Sequence, residues 1–142
     1  MLLVDTNVWL TSVDRRARHH TVCRHLLAAR RGQLAAPVPV IAETSWMILE
    51  RLGPSAQARF VRLVTEGHLQ VIELTSDDWA RCLDLVTSYA NLRLDLMDAS
   101  LIAVAERLGV IELASFNGRD FRTVRPRHTD AFTLLPTGLT HN

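Results

Sequence analysis

The chain opens on a short apolar run, Leu2-Leu3-Val4, that stops abruptly at the polar triplet Asp5-Thr6-Asn7. A buried strand followed by turn-forming or helix-capping residues has this pattern. Val8 to Ser12 predicts the start of a helix, and Arg15 to Arg18 with His19 and His20 a polar, basic connection. Thr21 to Arg31 predicts a helix with Val22, Leu26 and Leu27 on one face and Gly32 as its stop. Leu34 to Ala36 predicts a strand, and the helix after Pro39 runs to about Leu52 with Ile41, Ser45, Ile48, Leu49 and Leu52 as its inner stripe. Gly53-Pro54 breaks that helix, and Ser55 is expected to cap another ending at Gly67. Val71 to Leu74 predicts a strand, followed by a helix opened by Ser76 and Asp77 that passes through Trp79, Leu83 and Val86 to about Tyr89. A helix from about Met97 to Leu108 ends at Gly109, and Val110 to Ala114 and Phe132 to Leu135 predict the last strands.

Strands that alternate with helices across short connections predict an α/β class, a three-layer α/β/α sandwich around a mostly parallel sheet. No repeat, low-complexity tract or linker divides the 142 residues, so residues 1–142 are expected to form a single domain. With 48% hydrophobic residues, such a domain has the material for one sizeable core. The net charge of +1 names no partner, but all 16 basic residues are Arg, whose planar fork binds phosphate bidentately. Cys23 and Cys82 lack the spacing of a zinc site or a redox pair and are expected to be free thiols of a reducing compartment. No basic leader precedes an apolar stretch and no apolar run approaches a bilayer span, so a cytoplasmic protein with no membrane role is expected.

In an open parallel sheet, functional groups collect beyond the carboxyl ends of the strands, where Asp5 falls. Asp5 alone has an equally simple reading as a turn or cap residue. Asp98 is more telling. At about 100° per residue, Leu101, Ile102, Ala105 and Leu108 all lie within about 80° of it, so its carboxylate faces the core. A buried carboxylate is costly unless it is paired, protonated or bound to a metal. Asp95 reads as the N-cap of the same helix or as an additional acid, and Glu43 as either a solvated first-turn acid or a site group. Near the fourth strand, Ser115-Phe116-Asn117-Gly118 is a polar turn, and Asp120 caps it or pairs with Arg119 or Arg122.

Oxygen ligands of this kind suit Mg²⁺ or Mn²⁺ and phosphodiester chemistry, and no phosphate loop, HExxH or GxSxG motif competes. Two basic runs flank the acids. Arg15, Arg16, Arg18, His19 and His20 follow the first strand, and Arg119, Arg122, Arg125, Arg127 and His128 follow the fourth. They are either solvated faces or holders of a nucleic-acid backbone, and few aromatic residues remain to stack bases.

The opening Leu2-Leu3-Val4-Asp5-Thr6-Asn7-Val8 resembles the start of PIN-domain proteins, and Leu94 to Glu106 resembles their central acidic helix. The turn from Ser115 to Phe121, Val124-Arg125-Pro126 and the closing Phe132-Thr133-Leu134-Leu135-Pro136 resemble the tail of the VapC toxins within that family. The resemblance implies a PIN-like sandwich and a Mg²⁺- or Mn²⁺-dependent endoribonuclease. It also implies a toxin silenced by a VapB-type antitoxin and a homodimer. By resemblance, Asp5 and Asp98 match the principal metal ligands, and Glu43 matches the acid of the intervening helix. Thr6 and Ser115 match small hydroxylic positions beside them. Many relatives carry Asp where this chain has Asn117, which puts a second metal position in question. Asp120 and Asp95 are the acids nearby that would compensate. Arg15, Arg16, Arg119 and Arg122 are the expected RNA contacts. A catalytically weak RNA- or partner-binding module of the same fold is the alternative. A phosphatase with an Asp nucleophile fits less well, because the acid expected two residues on is Asn7.

Overall fold

The computed structural model describes residues 1–138, and the one-domain expectation for 1–142 extends past them at 139–142. Its centre is β1 (Leu2–Val4), whose three residues are completely buried. Successive strand residues point to opposite faces, so burial of all three means that both faces of the sheet are covered. β1 pairs in parallel with β2 (Leu34–Pro37) on one side and β4 (Glu112–Ala114) on the other. β3 (Gln70–Ile72) and β5 (Thr133–Leu135) complete an all-parallel, five-stranded sheet in the order β3-β2-β1-β4-β5. The chain winds outward from β1 to β3, then returns across β1 to add β4 and β5. A crevice opens at such a reversal, beyond the carboxyl ends of the strands.

Seven α-helices among the described residues cover the sheet. α1 (Thr6–Val13) starts on the residue after Asp5, which is its N-cap. α2 (His20–Ala29) follows a turn through the basic connection. α3 (Val38–Leu52) begins directly after the last residue of β2 and ends at Gly53, where α4 (Pro54–Thr65) starts. α5 (Ser76–Ser88) is closed by a reciprocal capping box between Thr75 and Asp78. A 3₁₀ turn at Ala90–Leu92 leads to α6 (Leu96–Leu108). Asp95 caps α6 at its start, and Gly109, at φ 70°, ends it in the left-handed conformation. α7 (Gly118–Thr123) occupies what the sequence presents only as a polar turn.

The elements agree with the sequence expectation more closely than their faces do. Leu52 and Leu108, on stripes expected to face inward, are exposed, and so are Val22, Trp79 and Leu83 among the apolar positions that marked their helices. The inward face of α2 is carried by Cys23, that of α3 by Val40, Thr44 and Ile48, and that of α5 by Asp78, Cys82 and Leu85. Large apolar side chains dominate a periodicity count, whereas these faces are built partly from small or polar groups. Asp78 is tolerated inside because Arg107 of α6 donates to it at 2.9 Å. Arg81 to Glu106, at 2.7 Å, adds a second tie between α5 and α6. Ser55 does not cap α4: Gly53 is the N-cap and Pro54 takes the first helical position, where its missing N–H costs nothing. Cys23 and Cys82 are buried free thiols, and burial pushes both up to about 11.

Candidate active site

Sheet register brings the first two site residues together. Val4 pairs with Ala114, so Asp5 and Ser115 leave adjacent strand ends side by side. The Asp5 backbone N–H donates to the Ala114 carbonyl at 2.8 Å, which extends the ladder by one step. Asp5 Oδ1 accepts from the Thr6 N–H at 2.8 Å and Oδ2 from the Ser115 hydroxyl at 2.7 Å. Both oxygens are held, and the carboxylate sits at the positive end of α1. Burial nonetheless pushes Asp5 up to about 6, against the lowering effect of those two bonds.

α3 supplies Glu43, on the stripe it shares with Val40 and Met47. Its Oε2 accepts from the Thr6 hydroxyl at 3.0 Å. Thr6 Oγ1 lies 3.0 Å from Thr44 Oγ1, so α1 and α3 meet through two hydroxyls and one acid. The stripe inferred from Ile41 and Leu52 would have set Glu43 on the far side of the helix. The actual inner face, Val40-Thr44-Ile48, turns it to the rim of the pocket.

α6 brings Asp98, which is buried at the first turn as its phase predicts. Asp95 Oδ1 accepts from the Asp98 N–H at 2.9 Å, so Asp95 is the cap while its charge remains at the pocket. Burial first, then the charges of Asp5, Asp95 and Asp120, push Asp98 up to about 8. One group opposes this. The Asn117 side-chain amide donates one N–H to Asp98 Oδ2 at 2.9 Å and the other to Asp120 Oδ2 at 3.0 Å. Its backbone N–H donates to Ser115 Oγ at 2.9 Å, which ties this amide to Asp5 through one hydroxyl. Asp120 therefore faces Asn117, and among the described residues it makes no ion pair with Arg119 or Arg122.

These groups line an open pocket of about 470 Å³ whose walls include Asp5, Thr6, Glu43, Asp95, Asp98 and Asn117. Four of those six are acids. Leu10, Met47, Met97 and Phe116 add an apolar wall, and Arg51 stands among them. Sequence reading missed Arg51, whose only signal is its spacing of eight residues from Glu43 on one helix. Arg15, Arg16, Arg119 and Arg122, expected to touch RNA, are exposed and do not line the pocket. Arg127 is turned away toward Asp84, and the His128 ring contacts the Val110 carbonyl.

Among the described residues the acids do not close into a ready-made cage of three metal ligands. Their electrostatics still fit a hard cation. Two buried carboxylates are driven toward protonation by burial and by neighbouring acids, no basic side chain among the described residues pairs with them, and an oxygen-only donor set is what Mg²⁺ or Mn²⁺ prefers. Asp98 and Asp5 would hold such an ion.

A family model described as the PIN domain matches residues 2–125. Ribonuclease VapC26 of Mycobacterium tuberculosis (strain ATCC 25618 / H37Rv) is 22% identical over 135 residues, covering 95% of this chain and all of the relative. The crystal structure of Mycobacterium tuberculosis VapC20, described as a Sarcin-Ricin loop cleaving toxin, superposes with a TM-score of 0.76 at 19% identity, over 83% of this chain and 91% of that one. A toxin–antitoxin complex from Klebsiella pneumoniae gives 0.66 at 22% identity, over 94% of this chain and all of the other.

Proposed function

Since the chain belongs to the PIN domain family, we propose that it is a VapC-type toxin, an endoribonuclease that uses Mg²⁺ or Mn²⁺ to hydrolyse RNA phosphodiester bonds in the cytoplasm. The observation that carries this reading is the pair Asp5 and Asp98. They are buried at the sheet's reversal point, raised to about 6 and about 8, and open to one pocket. When bound, a divalent cation lowers the pKa of water and stabilises charge on the phosphate and the leaving oxygen. The chain's own residues do the rest. Ser115 and the Thr6 N–H fix the Asp5 carboxylate, and Asp95 and Asn117 fix Asp98. Thr6 occupies Glu43 Oε2, leaving Oε1 to accept the proton of the attacking water. The Klebsiella complex and the VapC relative support a VapB-type antitoxin as partner, and a homodimer belongs to the same proposal.

Purified, antitoxin-free protein should cleave total RNA with Mn²⁺, and EDTA should stop it. Asp5→Asn and Asp98→Asn should abolish cleavage and growth inhibition while circular dichroism shows a folded protein. Full activity in folded Asp98→Asn protein would refute the assignment. Asn117 favours a second reading, because its amide already occupies an oxygen of both Asp98 and Asp120. A catalytically weak RNA- or partner-binding module of the same fold would retain RNA in that assay without cutting it.

A further inference from the structure

We propose that Arg51 forms a second phosphate-binding subsite, which takes a backbone phosphate next to the one held at the acids and sets the path of the RNA strand along α3. The inference rests on the ribonuclease reading above. Glu43, Met47 and Arg51 are four residues apart and therefore form one line on α3. Glu43 lies at the acid end of that line. Arg51 lies about 12 Å further along the helix axis, at 1.5 Å per residue. That is a backbone separation, and the Arg51 side chain leans back along it toward the helix N-terminus, a reach suited to a phosphate neighbouring the one at Asp5 and Asp98.

Three further observations agree. Arg51 is the arginine among the pocket's lining residues, whereas Arg30, Arg81, Arg107 and Arg127 lie elsewhere and pair with Glu112, Glu106, Asp78 and Asp84. Among the described residues Arg51 makes no ion pair, although it lines a pocket rich in carboxylates. It sits in the last turn of α3, where the helix dipole favours a cation. Arg51 and Leu10 also line an adjoining pocket of about 100 Å³ with Thr11, Asp14, Ala17 and Leu52. Arg51 and Leu10 thus form walls of two hollows. The first is acidic; the second has a single carboxylate, Asp14, whose Oδ1 already accepts the Arg16 backbone N–H at 3.0 Å. That second hollow has room for little more than one sugar ring of the neighbouring nucleotide, with Asp14 as an acceptor for its hydroxyl groups.

The test uses a fluorescein-labelled, short, mixed-sequence single-stranded oligoribonucleotide in Mg²⁺, with Asp98→Asn as the non-cleaving background. Adding Arg51→Ala should raise the Kd roughly tenfold, the loss of one charge-assisted contact. It should also lower the slope of log K against log salt by about 0.7, the loss of one single-strand phosphate contact. Arg51→Lys should recover part of the affinity, since it keeps the charge but not the fork. On the otherwise wild-type protein, Arg51→Ala should raise KM for RNA, and calorimetry should show Mn²⁺ affinity unchanged. A Kd within twofold of the background, an unchanged salt slope or an unchanged KM overturns the subsite. So does a tenfold loss of Mn²⁺ affinity, because Arg51 would then act through the acids. A wild-type protein that does not cleave RNA with Mn²⁺ counts against the proposed function itself.

Discussion

Under the proposed function, Asp98 is the residue at which activity and stability pull in opposite directions. Burial and three neighbouring carboxylates hold it at about 8, so at neutral pH the metal-free fold carries a proton or a strained charge there. Asp98→Asn should therefore stabilise the metal-free protein at pH 8 by on the order of 2 kcal/mol, a rise of several degrees in Tm by calorimetry, while cleavage is lost. Asn117→Asp should do the reverse. It removes two N–H donors from Asp98 and Asp120 and adds a like charge, so metal-free stability at pH 8 should drop by on the order of 2 kcal/mol and be largely restored by Mn²⁺. The roles available to Asp5 and Asp98 were legible in the sequence because a strand end and a helical phase each fix a direction. The two-handed grip of Asn117 was not, since Asp98 and Asp120 lie on different helices and only the fold makes them neighbours.

The helix starts decide how the acids are presented. Asp95 caps α6 through one oxygen, so Asp95→Ala should cost about 1 kcal/mol in chemical denaturation. Asp95→Asn keeps an acceptor and should cost only a few tenths. A comparable loss in both variants would show that the charge, not the cap, stabilises the helix. Helix existence was readable from periodicity and from Gly53, Pro54 and Gly109. For α6 the burial of Asp98 was readable, but the buried stretch runs unbroken from Asp98 to Ala105 and covers every face of the helix, while Leu108 of the expected stripe is exposed. Helix phase was misread for α3 and α5, because Thr44, Asp78 and Cys82 fill inward positions that a count of large apolar residues assigns outward. That error hid both the position of Glu43 and the line it makes with Arg51. α7 was missed because six residues beginning with Gly118 carry too little periodic signal to separate a helix from a turn.

For the molecule as a whole, the titrating groups give stability an optimum in mild acid. Asp5 and Asp98 ionise near 3.8 in an unfolded chain and near 6 and 8 in the folded one, so between these values the folded chain binds more protons. Stability of the metal-free protein should fall as pH rises from about 4 to 8 and then level off. Burial pushes Glu106 up, but Arg81 and the Arg127 N–H hold it below its ordinary value, so that contribution is lost as pH falls through the folded pKa, below about 4.5. Tm measured in EDTA should peak near pH 5, and Mn²⁺ should raise Tm more at pH 8 than at pH 5, where protons compete for the same oxygens. A metal-free Tm that climbs steadily from pH 5 to pH 8 would mean that Asp98 is not held as described. The sheet order itself could not be read from the sequence, because strands of three or four residues carry no signal for which neighbour each one chooses.

The central place of β1 has a consequence for biosynthesis. β1, made before the other described strands, needs β2 on one side and β4 on the other, and β4 is Glu112–Ala114. The pocket likewise draws on residues 5, 43, 95, 98 and 117. A nascent or prematurely terminated chain that stops short of Asn117 lacks both the closing strand's polar turn and the amide that holds Asp98. Such a chain lacks the fold that gathers the acids, so the proposed ribonuclease would gain its site only once most of these residues had been made.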